Sequence, residues 1–316
     1  MAGALWHEAH VLDAAENGVV LWLMDPSAET RKVHGTVVAA IFAWVEVVAF
    51  LGETFLVMVL AIASRSTLLY FLSFLMERDT SATTIVDATY DAVFVVAWLV
   101  HRYAAFFHLS PRALCERLGL LRWRPLATST KWLVLYHLVG FGLVVAWQWH
   151  TSDWFLSLDN YYDPATGQLQ LARVLEILLL SPIKEEIVFR GLAFHLLLNR
   201  IPSNGVAAGV ASVLFGCTHL INLKHSSFST PYVLLQTCLG IEIGLYYAVL
   251  FVQTRQNLRD SIVLHIVNNV LSSFLSTHTD FSARPIFAVL LLHAIVVYLG
   301  LTYASIRSMQ APRKLA

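Results

Sequence analysis

Long apolar runs constrain this chain more than any other feature of its sequence. Several of them exceed the roughly 18 residues that a helix needs to cross a bilayer. Composition agrees, since 57% of the residues are hydrophobic, 13% are charged and the mean hydropathy is +0.64. Soluble domains carry about 25% charged residues. The sequence therefore predicts an all-α, polytopic membrane bundle.

Eight transmembrane helices are predicted from these runs, after an N-terminal arm. The arm, residues 1–35, mixes aromatic and aliphatic side chains with charged residues and a proline, which leaves an interfacial segment and a flexible arm equally open. We expect residues 36–316 to form a single transmembrane helical domain. The predicted spans are 36–63, 84–107, 131–150, 170–200, 205–224, 231–254, 259–278 and 285–307.

The charge distribution predicts the orientation of the bundle and excludes one class of partner. The formal net charge is +0, so nucleic acid has no electrostatic attraction to the chain. The loop at 102–131 is rich in Arg and Lys, whereas the loop at 151–169 contains Asp and neither basic residue. Because cytoplasmic loops are enriched in Arg and Lys, we expect the first loop to be cytoplasmic and the second to face the other side.

The most unusual charged stretch is KEEIVFRG at 184–191, inside the predicted span 170–200. Charged groups at the middle of a spanning helix cost ~2.5–3.5 kcal/mol each, so they usually face a protein interior. Glu186 and Arg190 are four residues apart and can pair on one helical face. Glu185 is rotated from that face by about 100°. One carboxylate is thereby neutralised, and Glu185 is left available for chemistry.

A proline next to this stretch predicts an irregular backbone. Pro182 has no N–H for the carbonyl of Leu178, so it bends the helix there. Alternatively, Ser181 caps a helix that restarts with Pro182 at its first position. Either arrangement beside Glu185 requires neighbouring protein or a wet cavity, because lipid cannot satisfy the freed backbone groups.

Two other predicted spans carry polar side chains at helical spacing. Phe215 and His219 lie one turn apart, and so do His265 and Asn269. Packing or interhelical hydrogen bonding explains either pair about as well as catalysis does. Together with Glu185, however, they place polar groups on three spans, and in lipid the cheapest partners for such groups are each other. The sequence therefore predicts a shared polar cavity.

Such a cavity has the groups that hydrolysis needs. Glu185 can take a proton from water, a general-base contribution of ~10²–10⁴ in rate. His219 can hold the same water and share the proton. His265 and Asn269 can donate hydrogen bonds to a developing oxyanion, where one good donor contributes ~10²–10³.

The three motifs resemble those of a known family. Glu-Glu-x-x-x-Arg at 185–190, Phe-x-x-x-His at 215–219 and His-x-x-x-Asn at 265–269 occur in this order. They are similar to the motifs of the CAAX prenyl endopeptidase and bacteriocin-processing (CPBP, or Abi) intramembrane proteases, which include the Ras-converting endopeptidase. The resemblance implies an eight-helix membrane fold with a conical cavity open to cytosol and lipid, and a catalytic core at about 170–280.

Roles for individual residues follow from matching the motifs. The resemblance implies that Glu185 activates water with help from His219, and that His265 and Asn269 form the oxyanion site. It leaves supporting positions for Glu186, Arg190 and Phe215. It implies no metal and no other cofactor.

The resemblance also implies a substrate and a location. The family's eukaryotic branch cleaves the last three residues from prenylated CAAX proteins, and other branches process or neutralise peptides. We therefore expect a prenylated or hydrophobic peptide or protein substrate, reached from the cytoplasmic leaflet of the lipid bilayer. The protein is expected to be a multi-pass integral membrane protein, in the endoplasmic reticulum if eukaryotic and in the plasma membrane if bacterial.

Three alternatives stay open from the sequence. Glu185, His219 and His265 are a possible zinc ligand set for a metal-dependent version of the same hydrolysis. A non-catalytic membrane scaffold or immunity protein is possible on the same fold. A proton or solute path also uses intramembrane Glu and His residues, although its typical paired repeats are not visible in the chain.

Overall fold

The computed structural model describes residues 36–310, except 76–79, 122–123, 153, 155, 164–165, 202, 225–228 and 275–284. In these ranges the chain forms helices and isolated β-bridges, such as the one between Tyr162 and Leu169. No β-strand of several residues occurs among the described residues. The predicted all-α class is confirmed. The predicted arm at 1–35 lies outside the described residues.

The described part of the chain folds into nine helices. The helices are α1 (Thr36–Leu75), α2 (Thr80–Phe106), α3 (Pro111–Arg117), α4 (Thr128–Thr151), α5 (171–200), α6 (Asn204–Thr218), α7 (Thr230–Gln253), α8 (Leu258–Ser273) and α9 (Pro285–Gln310). Two 3₁₀ turns follow α4 and α6, at Asp159–Tyr161 and His219–Lys224.

Fewer helices than predicted are long and apolar enough to cross a bilayer. Five described helices qualify, or six if α2 and α3, which meet at 96°, count as one bent span. The predicted count of eight is not confirmed. The helices that fall short include α5, which is divided by π-helical segments and carries charged side chains, and α8, which has only 16 residues.

The centre of the bundle is α5. Every residue from Glu186 to Leu198 is buried, and α5 packs against α1, α2, α6, α7 and α8. A helix buried on all sides belongs to the interior of a bundle. The peripheral helices differ, since α4 and α9 expose apolar side chains such as Trp132 and Val296. This arrangement keeps the charged middle of α5 away from the apolar outer surface.

Glycines bring α6 and α7 into close contact beside α5. A Cβ atom added to Gly216 would lie 2.4 Å from Ile241 Cγ1 and 2.7 Å from the Thr237 carbonyl oxygen. Added to Gly240 or Gly244, it would lie 3.0 Å from the His219 ring or 2.9 Å from an Arg190 guanidinium nitrogen, respectively. Small residues of this kind let two helix backbones approach each other. The close approach brings α7 against the candidate site.

Candidate active site

The backbone of α5 is irregular on both sides of Glu185. The segments Glu176–Leu180 and Glu186–Ala193 are π-helical and flank the α-helical Ser181–Glu185. Single π turns inside helices are frequent at functional sites. Ser181 has helical dihedrals (φ −64°, ψ −50°), so the helix bulges and does not restart there. Of the two sequence alternatives, the restarted and capped helix is therefore wrong.

The bulge leaves one carbonyl without its helical donor, and Asn269 binds it. The Ser181 N–H bonds to the Glu176 carbonyl, five residues back. In the same register the Ile177 carbonyl would receive the next N–H, which Pro182 lacks. The Asn269 amide on α8 donates to the Ile177 oxygen instead, at 3.0 Å. Asn269 thus attaches α8 to α5 and keeps a second amide hydrogen for another acceptor.

Glu185 has one oxygen held by a hydrogen bond and one oxygen without such a bond. The Ser181 hydroxyl donates to Glu185 Oε1 at 2.5 Å. Oε2 lies 3.6 Å from His265 Nε2, and 24% of the Glu185 side chain is exposed. The hydroxyl fixes the carboxylate, so that its second oxygen faces the imidazole and remains accessible.

Glu186 and Arg190 form a fully buried pair that extends to His265. Arg190 Nη1 and His265 Nδ1 approach the same oxygen, Glu186 Oε1, at 3.1 and 2.8 Å. Because a carboxylate only accepts hydrogen bonds, His265 carries a hydrogen on Nδ1. Nε2 can then donate only when the ring is a doubly protonated imidazolium. Glu186, which the sequence spacing paired with Arg190, thus also fixes the tautomer of His265.

Phe215 is the aromatic centre of the cluster. Its ring lies under the Arg190 guanidinium, 4.0 Å from the carbon to the ring centroid. The same ring meets His219 and His265 edge-on, at centroid distances of 5.3 and 5.8 Å. Electrostatic interactions also connect His219 with Glu185 and His265. All seven residues singled out from the sequence therefore lie in one neighbourhood formed by α5, the C-terminal end of α6, and α8.

Sequence comparison supports the same part of the chain. Residues 167–271 match the Rce1-like family. Its model is described as type II CAAX prenyl endopeptidase Rce1-like, and the match contains all three motifs. The predicted resemblance is confirmed. No curated protein and no solved structure matches the chain.

The family match indicates an activity, and together with the apolar helices it indicates a location in the membrane. The Rce1-like family implies CAAX intramembrane protease activity. Several apolar helices of spanning length occur in the same chain. The protein is accordingly an integral membrane protein by both criteria.

Sequence reasoning missed two contributions of α7 to the candidate site. Gly240 and Gly244 face His219 and Arg190, and their Gly-x-x-x-Gly spacing is a known signal of close helix packing in membranes. Tyr247 lies one turn further, with its ring 6.0 Å from that of His265 and under the Arg190 guanidinium at 5.5 Å. Its position has no comparable sequence signal.

A hydrogen-bond network continues outward from Tyr247. The Asn268 amide donates to the hydroxyls of Tyr247 and Tyr298, at 2.6 and 3.1 Å. Tyr298 in turn bonds to His137 Nε2 at 3.0 Å, while His137 Nδ1 lies 2.7 Å from the Leu133 carbonyl. The network ties α4, α7, α8 and α9 together behind the site. Asn268, which the sequence left without a role, is its central donor.

The zinc alternative requires three ligand side chains arranged around one metal ion. Among the described residues, no group of three or more His, Cys, Asp or Glu side chains has an arrangement that could hold a metal ion. The set Glu185, His219 and His265 does not form such a group. The cysteines Cys115, Cys217 and Cys238 are free.

Proposed function

We propose that this protein is an intramembrane endopeptidase that hydrolyses a peptide bond near the C-terminus of prenylated CAAX-type or other membrane-associated peptides. One observation carries the proposal. Glu185 has Oε1 fixed by Ser181 while Oε2 remains accessible beside His265. A carboxylate held in one orientation with a free oxygen is suited to act as a general base.

In the proposed first step, Glu185 removes a proton from a water molecule and the water oxygen attacks the scissile carbonyl carbon. In the proposal His219 shares that water. Its side chain interacts electrostatically with Glu185, and its ring nitrogens make no hydrogen bond with any described residue. The negative charge passes from the carboxylate to the carbonyl oxygen, which becomes the oxyanion.

Two donors on α8 stabilise that oxyanion in the proposal. Asn269 uses the amide hydrogen that is not bonded to Ile177, and His265 uses Nε2–H in its imidazolium form. Each well-placed donor is worth ~10²–10³ in rate. When the tetrahedral intermediate collapses, the C–N bond breaks and the proton held by Glu185 passes to the leaving nitrogen. The products are a carboxylic acid, which loses its remaining proton to solvent, and an amine.

Glu186, Arg190 and Phe215 position these groups without touching the substrate. Glu186 orients His265, Arg190 balances the buried carboxylate, and Phe215 supports the guanidinium and both imidazoles. A buried pair of this kind is strongly destabilised when one partner is removed. We therefore assign positioning roles to all three.

Cleavage by the full-length chain in phospholipid nanodiscs tests the proposal. The substrate is a farnesylated CAAX peptide with a fluorophore and quencher across the scissile bond. We expect wild-type protein to cleave it and Glu185→Ala to lose at least ~10³ in kcat/KM while keeping its unfolding midpoint. Glu116→Ala is the matched control, because Glu116 pairs with Arg112 on α3 at the surface. Equal cleavage by wild type and Glu185→Ala would contradict the proposal.

Two further arms of the assay test the chemistry and the substrate class. Exhaustive chelation should leave activity unchanged, and activity lost on chelation and restored only by zinc would overturn the metal-free mechanism. The unprenylated peptide should be cleaved more slowly than its farnesylated twin. Equal rates would remove the membrane-associated substrate from the proposal.

A further inference from the structure

A second charged cavity lies on another side of α5, toward α1 and α2. Its volume is about 390 Å³, and its walls combine apolar side chains such as Met58, Ile62 and Val95 with charged ones. The charged lining residues are Arg65, Asp91, Arg173, Glu176 and Lys184. None of these five belongs to the site described above, and the proposed mechanism uses none of them.

The lining carries an excess of positive charge. Arg65 pairs with Asp91 at 2.7 Å, and Lys184 pairs with Glu176 at 3.3 Å. Arg173 is exposed and makes neither a hydrogen bond nor an ion pair with any residue that the structure describes. Three cations therefore face two anions. A concave, partly apolar surface with one net charge attracts a ligand of opposite charge.

The two existing ion pairs leave room for such a ligand. In each pair both side chains are between 19% and 39% exposed. Because all four side chains are partly solvent-accessible, a cation of either pair can reorient toward a new anion. An arginine fork also matches a carboxylate geometrically, with two parallel hydrogen bonds. Arg173 is thus suited to be the principal contact, with Lys184 beside it.

The cavity lies at a suitable distance from the proposed base. Lys184 directly precedes Glu185, and Arg173 comes twelve residues before it on the same helix. At about 1.5 Å per residue, the cavity lining extends from near Glu185 to about 18 Å away along α5. An extended peptide covers about 10 Å in three residues. The terminal carboxylate of a released tripeptide would therefore lie between the levels of Lys184 and Arg173, where both long side chains can extend toward it.

We propose that this cavity binds the free C-terminal carboxylate of the substrate, with Arg173 as the main contact and Lys184 as the second. The inference rests on the proposed function, because it assumes cleavage close to a C-terminus. The cavity would then select chains that end near the scissile bond, since only these can place a carboxylate beside Arg173. A phospholipid headgroup is also anionic, and the experiment distinguishes it from a peptide carboxylate.

The test compares two farnesylated peptides of identical sequence, one ending in a carboxylate and one in a carboxamide. A hydrogen bond to a charged group is worth ~1.5–3 kcal/mol, so we expect wild-type kcat/KM to be about 10–100-fold higher for the acid. In Arg173→Ala the acid-to-amide ratio should fall to near one, and Arg173→Lys should restore part of it. Arg112→Ala, which removes an exposed cation on α3, should keep the wild-type ratio.

The outcomes separate this inference from the proposed function. Equal wild-type rates on both peptides, or a ratio that Arg173→Ala leaves unchanged, would overturn the inference while Glu185-dependent cleavage still stands. If neither peptide is cleaved, the affinities of both peptides for Glu185→Ala are measured by fluorescence polarisation. A ratio of acid to amide affinity near one would then overturn the inference, and a preference for the acid would support it. A last measurement adds anionic phospholipid to the protein in maltoside micelles and compares lipid binding by wild type and Arg173→Ala. Arg173-dependent lipid binding without any acid-to-amide preference would assign the cavity to a headgroup instead.

Discussion

Helix α8 carries two polar clusters less than two turns apart, and their hydrogen-bonding groups are satisfied in different ways. At its N-terminal end, Asp260 accepts hydrogen bonds from the Ala127 backbone N–H and from the Asn257 amide, both at 2.8 Å. At its middle, His265 is in contact with the side chains of Glu185 and Glu186. The first cluster binds connecting loops, and the second binds side chains from another helix.

The loops around Asp260 confirm its structural character. The Leu258 N–H bonds to the Leu118 carbonyl at 3.0 Å. Gly119, with φ +73°, approaches so closely that a Cβ there would lie 2.5 Å from Asn257 Oδ1. The connections before α4 and before α8 therefore hold each other in place. A polar cluster that ends on backbone groups stabilises the fold, whereas one that leaves a carboxylate oxygen and an imidazole open is available for chemistry.

The largest effect is expected for Glu186→Ala. Removing this carboxylate leaves Arg190 buried without its partner, which costs ~3–5 kcal/mol of unfolding free energy. It also frees the Nδ1 of His265, so peptide cleavage should be lost as well. Denaturant unfolding and cleavage, measured on the same preparation, check both effects. A variant with wild-type stability would show that the buried pair of Glu186 and Arg190 does not stabilise the fold.

Asn269→Ala should be next in size. It removes an oxyanion donor, so kcat should fall by ~10²–10³, and it also leaves the Ile177 carbonyl without its partner. Its neighbour Asn268 provides the matched comparison, because it donates to Tyr247 and Tyr298. Asn268→Ala should lower stability by about 1–2 kcal/mol with a much smaller effect on kcat. Similar losses of kcat in both variants would argue against an oxyanion role for Asn269.

Gly244→Ala should have a smaller effect on catalysis. The new methyl group would lie 2.9 Å from an Arg190 guanidinium nitrogen and 3.2 Å from Phe215, so both must shift. Overpacking of this kind costs ~1–3 kcal/mol, and we expect kcat/KM to fall by about tenfold as the site is displaced. Gly209→Ala on α6 is the control, since nothing lies within 4 Å of its new methyl group. If both variants behave alike, close packing of α7 does not position the site.

The smallest expected effect is that of Tyr298→Phe, which removes only a hydroxyl. The His137 and Asn268 groups lose one partner each. We expect a loss of about 0.5–1.5 kcal/mol in stability and less than a threefold change in kcat/KM. Thermal unfolding and steady-state cleavage measure the two quantities. A large change in kcat/KM would extend the functional cluster from His265 to α9.

Much of the fold and of the site was predictable because both depend on helical periodicity. Apolar runs give the helices, and four-residue spacing gives the contact between Glu186 and Arg190. The number of helices of spanning length did not follow from the apolar runs, since α5 is divided by π-helical segments and α8 has only 16 residues. The bond from Asn269 to Ile177 depends on the π register, which no sequence pattern specified. The contact between Glu186 and His265 required the relative rotation of α5 and α8.

The most direct test measures kcat/KM and unfolding free energy together for Glu185→Gln and Asp260→Asn. Both changes replace a carboxylate by an amide of nearly the same shape. For Glu185→Gln we expect kcat/KM to fall by at least ~10³ with stability within about 0.5 kcal/mol of wild type. For Asp260→Asn we expect a loss of ~1–3 kcal/mol in stability and unchanged kcat/KM for the folded protein. Retained cleavage in Glu185→Gln, or the same pattern in both variants, would contradict the assignment of the site.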